Sequence, residues 1–234
     1  MLDNIKENVA AVREAIAASA KKSGRNASEI KLIGVTKTVD ETRIKELLAA
    51  GVEDIGENRV QDFLPKYDAL GEIKNSAPFN WHFIGHLQRN KVKFIVDKVD
   101  LIHSVDSLQL AEEINKRAKQ LNREINILAE INISGEASKF GIPPDQILKF
   151  AENLVNMRHL RLKGLMCVAP FVENPEENRV FFREMRKLIV DIQKKCLYDT
   201  KIVDLSMGMS GDFTVAIEEG ATMIRIGTSL FGER

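Results

Sequence analysis

The 234-residue chain is 44% hydrophobic and 29% charged, and its 34 Lys and Arg balance 34 Asp and Glu, for a formal net charge of zero. That size suits one globular domain over 1–234, and the neutral balance speaks against a nucleic-acid or membrane partner. The N-terminus, Met-Leu-Asp-Asn-Ile-Lys-Glu, is charged from residue 3 and lacks a signal's apolar core. No uninterrupted apolar run approaches the roughly 20 residues of a membrane span, so the expectation is a soluble cytoplasmic protein. Cys167 and Cys196 form neither a disulfide framework nor a metal-ligand cluster, and Cys167, in an apolar run, reads as a small buried hydrophobe.

Leu2, Ile5, Val9, Val12 and Ile16 recur at helical spacing and predict a first helix ending near Ser23-Gly24. It precedes the first strand and is an addition to a strictly alternating pattern. From Ile30 the chain alternates. Predicted strands cover 31–37, 52–56, 80–84, 101–104, 125–133, 162–168, 202–207 and 223–227. Predicted helices cover 41–50, 59–70, 87–97, 107–121, 145–157, 175–196 and 212–219. Eight strands separated by helices in this length is the count of a (β/α)8 barrel. A doubly wound open sheet is the alternative, but Ile33-Gly-Val-Thr-Lys-Thr has one glycine where a dinucleotide turn needs several. Residues 75–80 and 172–175 read as loops.

In a barrel the carboxyl ends of the strands converge on one mouth, so the junction residues are the candidates. The first junction gives Lys37, a lysine closing a β-branched run. Either it snorkels to water, or its amine condenses with an aldehyde cofactor as a Schiff base. The second reaction needs a neutral amine, which desolvation or a nearby cation such as Arg225 would favour. Ser210-Gly211 before the 212–219 helix, and Gly227-Thr228 at the last junction, are singly a serine cap and a glycine turn. At adjacent junctions opposite a strand-end lysine, they read as a cradle for an anion.

Arg225 shares a face of the last strand with Met223 and Gly227. It is either a structural salt bridge or a donor to the cofactor's ring nitrogen, which a guanidinium would keep unprotonated. Asn58 either donates to the cofactor's phenolic oxygen or caps the following helix. His82 and His86 read as packed or capping residues, with no third group completing a relay. Lys139 reads as solvated, or as a second aldehyde-reactive amine. Glu57 and Asp212 do not read as a paired acid and base.

Val35-Thr-Lys37-Thr, Gly56-Glu-Asn58-Arg, Trp81-His-Phe-Ile-Gly-His-Leu-Gln-Arg-Asn-Lys91, Leu205-Ser-Met-Gly-Met-Ser210-Gly-Asp and Arg225-Ile-Gly227-Thr-Ser-Leu-Phe-Gly232 span the chain from first strand to last. In these segments the sequence resembles the pyridoxal 5′-phosphate homeostasis protein family, which is similar to the barrel domain of alanine racemase. The resemblance implies that fold, with pyridoxal 5′-phosphate on Lys37. It implies phosphate contacts from Ser210, Gly227 and Thr228, Arg225 at the pyridine nitrogen and Asn58 beside the ring. It implies a cytoplasmic cofactor carrier, with apo pyridoxal-phosphate enzymes as recipients, rather than an enzyme.

A racemase needs a base on each face of the bound amino acid. Alanine racemase supplies the second as a tyrosine from an additional domain and the partner subunit. Here the tyrosines, Tyr67 and Tyr198, fall on predicted helices away from the mouth. A racemase using His82 or water as second base is the alternative function, and a phosphate-ligand enzyme without an imine is a third. The expected oligomeric state is a monomer.

Overall fold

The computed structural model describes residues 4–195 and 202–232. Eight parallel strands close into a barrel in sequence order: β1 (Lys31–Val35), β2 (Asp54–Glu57), β3 (Asn80–Phe83), β4 (Leu101–Val105), β5 (Ile125–Ile131), β6 (Leu160–Cys167), β7 (Asp204–Ser206) and β8 (Met223–Ile226). β8 pairs with β1 to shut the ring, with Arg225 opposite Ile33. Each strand overlaps the one expected at its place. The helices are α1 (Ile5–Lys22), α2 (Glu41–Ala49), α3 (Val60–Ala69), α4 (Gly71–Ser76), α5 (Leu108–Gln120), α6 (Ile147–Leu154), α7 (Arg179–Lys194), α8 (Phe213–Glu218) and α9 (Thr228–Phe231). Cys196 and Tyr198 lie outside the described residues, and Cys167 is buried as expected. No helix among the described residues is long and apolar enough to cross a membrane.

Three expectations need correction. The helix expected over 87–97 is a 3-10 helix, Arg89–Phe94. It buries Val92. The next buried residues, Ile95, Val96 and Val99, follow it on an irregular step and are likewise stiff and β-branched, and i to i+3 bonds such as Ile95 N–H to Val92 O close the turns. The loop expected from residue 75 begins only after α4. And β1 stops at Val35, two residues short of Lys37. Thr36 N–H still reaches Gly56 O, but Val39 N–H then turns back to Thr36 O, and Thr38 takes φ 59°. Lys37 therefore sits in a tight turn beyond the strand and is exposed.

Side-chain alternation sorts the strands into two environments. Ile33, Leu101, Leu128, Met166 and Met223 form a small apolar cluster inside the barrel. Their neighbours of opposite parity, such as Ile102, Ile127, Leu165 and Ile224, join the larger core between strands and helices. Trp81 is fully buried there and meets the edge of Phe63 at 5.0 Å. The Asn4 side chain caps α1 by accepting from the N–H groups of Lys6 and Glu7. The helix buries Ile5, Val9, Val12 and Ile16, and Asn8 Nδ2 donates to Leu230 O at 3.0 Å. α1 thus braces α9, the turn that follows β8.

Candidate functional site

The strand ends open on a cavity of about 790 Å³. Lys37 enters it from the β1–α2 turn, Arg225 from β8, Ser210 and Gly211 from the β7–α8 loop, and Gly227 and Thr228 from the start of α9. Five of the six expected site residues therefore share one cavity. Asn58 is not among those lining it. Nor does Asn58 cap α3, whose N-cap is Arg59. Its N–H donates to Glu57 Oε1 at 2.8 Å, and its Oδ1 is buried with no hydrogen-bond partner among the described residues. A larger hollow of about 950 Å³, lined by His86, Arg89, Asp106 and Phe140, adjoins the first at Lys139. His86 is exposed rather than packed, stacking on Phe140 at 3.7 Å with Nδ1 3.2 Å from Asp106. Lys139 pairs with Glu136 at 2.7 Å.

The two glycine-containing junctions form a single braced structure. Gly208 takes φ +91°, and a Cβ there would come within 2.6 Å of Ala216 Cβ and 2.9 Å of Phe213 Cα. Asp212 accepts from Met209 N–H at 2.7 Å and from Asn178 Nδ2 at 2.8 Å, so it holds the loop rather than acting as an acid or base. Ser210 Oγ accepts from Ser229 N–H at 3.3 Å, tying the loop to α9. The N–H groups of Ser210 and Gly211 meet no acceptor among the described residues. Two adjacent open backbone donors beside a hydroxyl are what a phosphate-like anion requires.

Arg225 is 5% exposed. Its Nη1 donates to both O and Oγ of Ser206 at 2.7 Å, and its Nη2 to Cys167 O at 2.8 Å. It is not a structural salt bridge: these acceptors are neutral, and no carboxylate pairs with it among the described residues. Burial pulls its pKa down from the ordinary value, and Glu130 and Asp212 partly restore it. Glu130 faces the interior near the end of β5, with Oε2 buried and unpartnered among the described residues. Burial, reinforced by the charge of Asp106, pushes its carboxyl up to about 7.

Sequence reasoning missed two polar assemblies. Beside the Lys37 turn, Lys66 Nζ donates to Glu57 Oε2 and to Thr36 O at 2.7 Å each, and Thr36 Oγ1 lies 3.1 Å from the same carboxylate oxygen. This buried pair clamps the backbone on which Lys37 and Asn58 stand. Thr38, just beyond it, takes a sparsely populated conformation costing on the order of 1–3 kcal/mol. Inside the barrel, His82 does find further groups: its Nε2 lies 2.8 Å from Asp54 Oδ1 and its Nδ1 2.8 Å from His103 Nε2. His103 Nδ1 is 2.9 Å from Ser206 Oγ. Same-face parity within each strand was the available signal, but spacing along the chain says nothing about partners on different strands.

Residues 1–234 match the family described as alanine racemase, N-terminal domain. A pyridoxal phosphate homeostasis protein of Aquifex aeolicus is 45% identical over 231 residues, covering 99% of each chain. Its namesake from Pseudomonas aeruginosa is 38% identical over 234 residues, covering 100% of this chain and 97% of that one. The structure of PipY from Synechococcus elongatus with pyridoxal phosphate bound has a TM-score of 0.84 at 32% identity, over 97% of this chain and 100% of that one. Alanine racemase from Corynebacterium glutamicum, with a TM-score of 0.72 at 15% identity, shares the fold over 99% of this chain and 62% of its own. The molecule is thus a (β/α)8 barrel of the alanine-racemase type, with an extra N-terminal helix. Within that class, the chain belongs to the pyridoxal phosphate homeostasis protein family.

Proposed function

We propose that this protein binds pyridoxal 5′-phosphate at the barrel mouth as a Schiff base on Lys37. It acts in intracellular homeostasis and delivery of the cofactor, and affects amino-acid balance indirectly. The observation that carries this reading is the convergence of an amine, a guanidinium and two open backbone N–H groups on one cavity of about 790 Å³. The donor set fits the ligand group by group. Lys37 would take the aldehyde. The N–H groups of Ser210 and Gly211, with Gly227 and Thr228 beside them, would hold the phosphate. Arg225 would face the pyridine nitrogen, while Asn58, which does not line the cavity, is left to the ring by the resemblance alone. When bound, the cofactor supplies an aldehyde for amines and an electron sink. Arg225 donates only, so it weakens that sink by leaving the nitrogen unprotonated.

The reading is of a carrier rather than an enzyme. His82, the candidate second base, is 2% exposed with both ring nitrogens engaged. Tyr67 packs against Phe63 in α3 at 5.5 Å. Neither is placed to serve the far face of a bound amino acid. The same reading takes the protein as a cytoplasmic monomer, a single barrel unit, that passes its cofactor to apo pyridoxal-phosphate enzymes.

The test is borohydride reduction of protein loaded with the cofactor, followed by peptide mapping. The expected label is on Lys37, and its absence there overturns the assignment. Loaded protein in D₂O with L-alanine or L-serine is expected to show no α-proton exchange and to transfer its cofactor to an apo-enzyme. Steady exchange would make it a racemase.

A further inference from the structure

We propose that Asp54, His82, His103 and Ser206 are positioning residues, a one-way hydrogen-bond relay that crosses the barrel interior and fixes the guanidinium of Arg225. The proposal rests on the reading above for what Arg225 faces. The relay itself rests on four contacts between five strands: Arg225 Nη1 to Ser206 Oγ at 2.7 Å, Ser206 Oγ to His103 Nδ1 at 2.9 Å, His103 Nε2 to His82 Nδ1 at 2.8 Å, and His82 Nε2 to Asp54 Oδ1 at 2.8 Å. Barrel interiors are normally filled by apolar layers, and burying polar groups costs free energy unless every one is paired.

The direction of each bond follows from the ends. A guanidinium only donates, so Ser206 Oγ accepts from Arg225. The Ser206 hydroxyl has one proton, and His103 Nδ1 is the acceptor for it among the described residues. Burial holds His103 well below the usual histidine value, so it is neutral and carries its single proton on Nε2. That proton goes to His82 Nδ1. His82 then carries its own on Nε2 and gives it to the Asp54 carboxylate, which also meets Asn80 Nδ2 at 3.0 Å and Lys31 Nζ at 3.2 Å. Each link has one donor and one acceptor. A second proton on His82 would sit on Nδ1, facing the N–H of His103. His103 would have to switch tautomer, and the Ser206 hydroxyl would lose its acceptor. The state of Asp54 is thereby coupled to the group that orients Arg225.

The charges around the relay are Lys31 on β1, Asp204 on β7 and Arg225 on β8, with Glu130 on β5 acting on Arg225. Asp54, Lys31 and Asp204 line a hollow of about 680 Å³ at the opposite end of the barrel from the mouth. The relay therefore joins the two faces.

The first test needs no cofactor. Long-range ¹H–¹⁵N NMR of the free protein is expected to show His82 and His103 both protonated on Nε2 and bare on Nδ1. Protonation of His103 on Nδ1 overturns the relay. The second test compares cofactor-loaded Asp54→Asn, Ser206→Ala and the double variant by absorbance against pH. The amide oxygen introduced by Asp54→Asn can still accept from His82, so the network stays paired. Ser206→Ala is expected to weaken retention of pyridoxal 5′-phosphate roughly tenfold, the loss of one hydrogen bond to a charged group. Asp54→Asn, remote from the cavity, is expected to move the midpoint of the absorbance titration. That movement should vanish in the Ser206→Ala background. An equal movement in both backgrounds, or none in either, overturns the relay. Wild-type protein without a borohydride label on Lys37 would overturn the cofactor reading instead and leave the tautomer result standing.

Discussion

Glu130→Gln is expected to flatten the dependence of stability on pH in the cofactor-free protein. Glu130 is 8% exposed and its Oε2 has no partner among the described residues. Burial, with Asp106 adding to it and Arg225 opposing, raises its carboxyl from 4.5 to about 7. Between those values the folded protein keeps a proton that the unfolded chain has released. Stability from this group is therefore fully present below pH 4.5 and is lost as pH rises through about 7. The displacement corresponds to roughly 3 kcal/mol. Glutamine has the same shape and stays neutral, so the variant should gain up to about 3 kcal/mol over wild type at pH 8 and little at pH 4.5. Urea titrations at half-unit pH steps on both proteins give the comparison. Parallel curves, or a variant less stable than wild type at pH 8, would refute the placement of Glu130 as a buried acid with a raised pKa.

Lys66→Met strands the Glu57 carboxylate, which is fully buried, and should cost about 3–5 kcal/mol in urea denaturation. Adding Glu57→Gln should recover part of that loss. Gly208→Ala forces a Cβ to 2.6 Å from Ala216 in a left-handed backbone, so it should lower Tm and loosen cofactor retention together. Lys37→Ala should abolish the yellow absorbance of loaded protein while thermal unfolding stays within about 0.5 kcal/mol of wild type, because the side chain is exposed. Arg225→Gln should shift the absorbance–pH profile. Arg225→Glu is a poorer probe, since it sets a carboxylate against the carbonyls of Ser206 and Cys167 and should chiefly unfold the barrel.

The fold was legible because alternation of apolar strands and amphipathic helices is a local signal, and each junction then falls at the same end by topology alone. That is how Lys37, Ser210, Arg225, Gly227 and Thr228 could be grouped from the chain alone. What the chain did not disclose is pairing across strands. His82 reads as a lone histidine because its partners, Asp54 and His103, are 28 and 21 residues away. Lys66, within the predicted 59–70 helix, carries no signal of its own in the chain, yet it reaches Glu57 within the same β–α unit and is buried. The turn at Lys37 was missed for a different reason. Thr36 keeps extended pairing with β2, and the break comes from the positive φ of Thr38, a conformation threonine rarely adopts and propensity does not foresee.

Catalysis and transfer make opposite demands on a mouth. A racemase must wall off its cofactor, because water at the reacting carbon competes for protons and weakens every electrostatic contact. Here Lys37 is exposed and the neighbouring Phe171, on the rim formed by the β6–α7 loop, is 98% exposed. A large side chain left in water at the lip contributes nothing to a closed site. On the carrier reading this openness is the working condition. The grip then comes from the floor, where Gly208, Asp212 and Ser210 lock the anion loop and Ser206 and Cys167 hold Arg225. A Schiff base on Lys37, as proposed, would stay within reach of water and of incoming amines. A rigid floor under an open lip lets the ring be held in one orientation and still be surrendered.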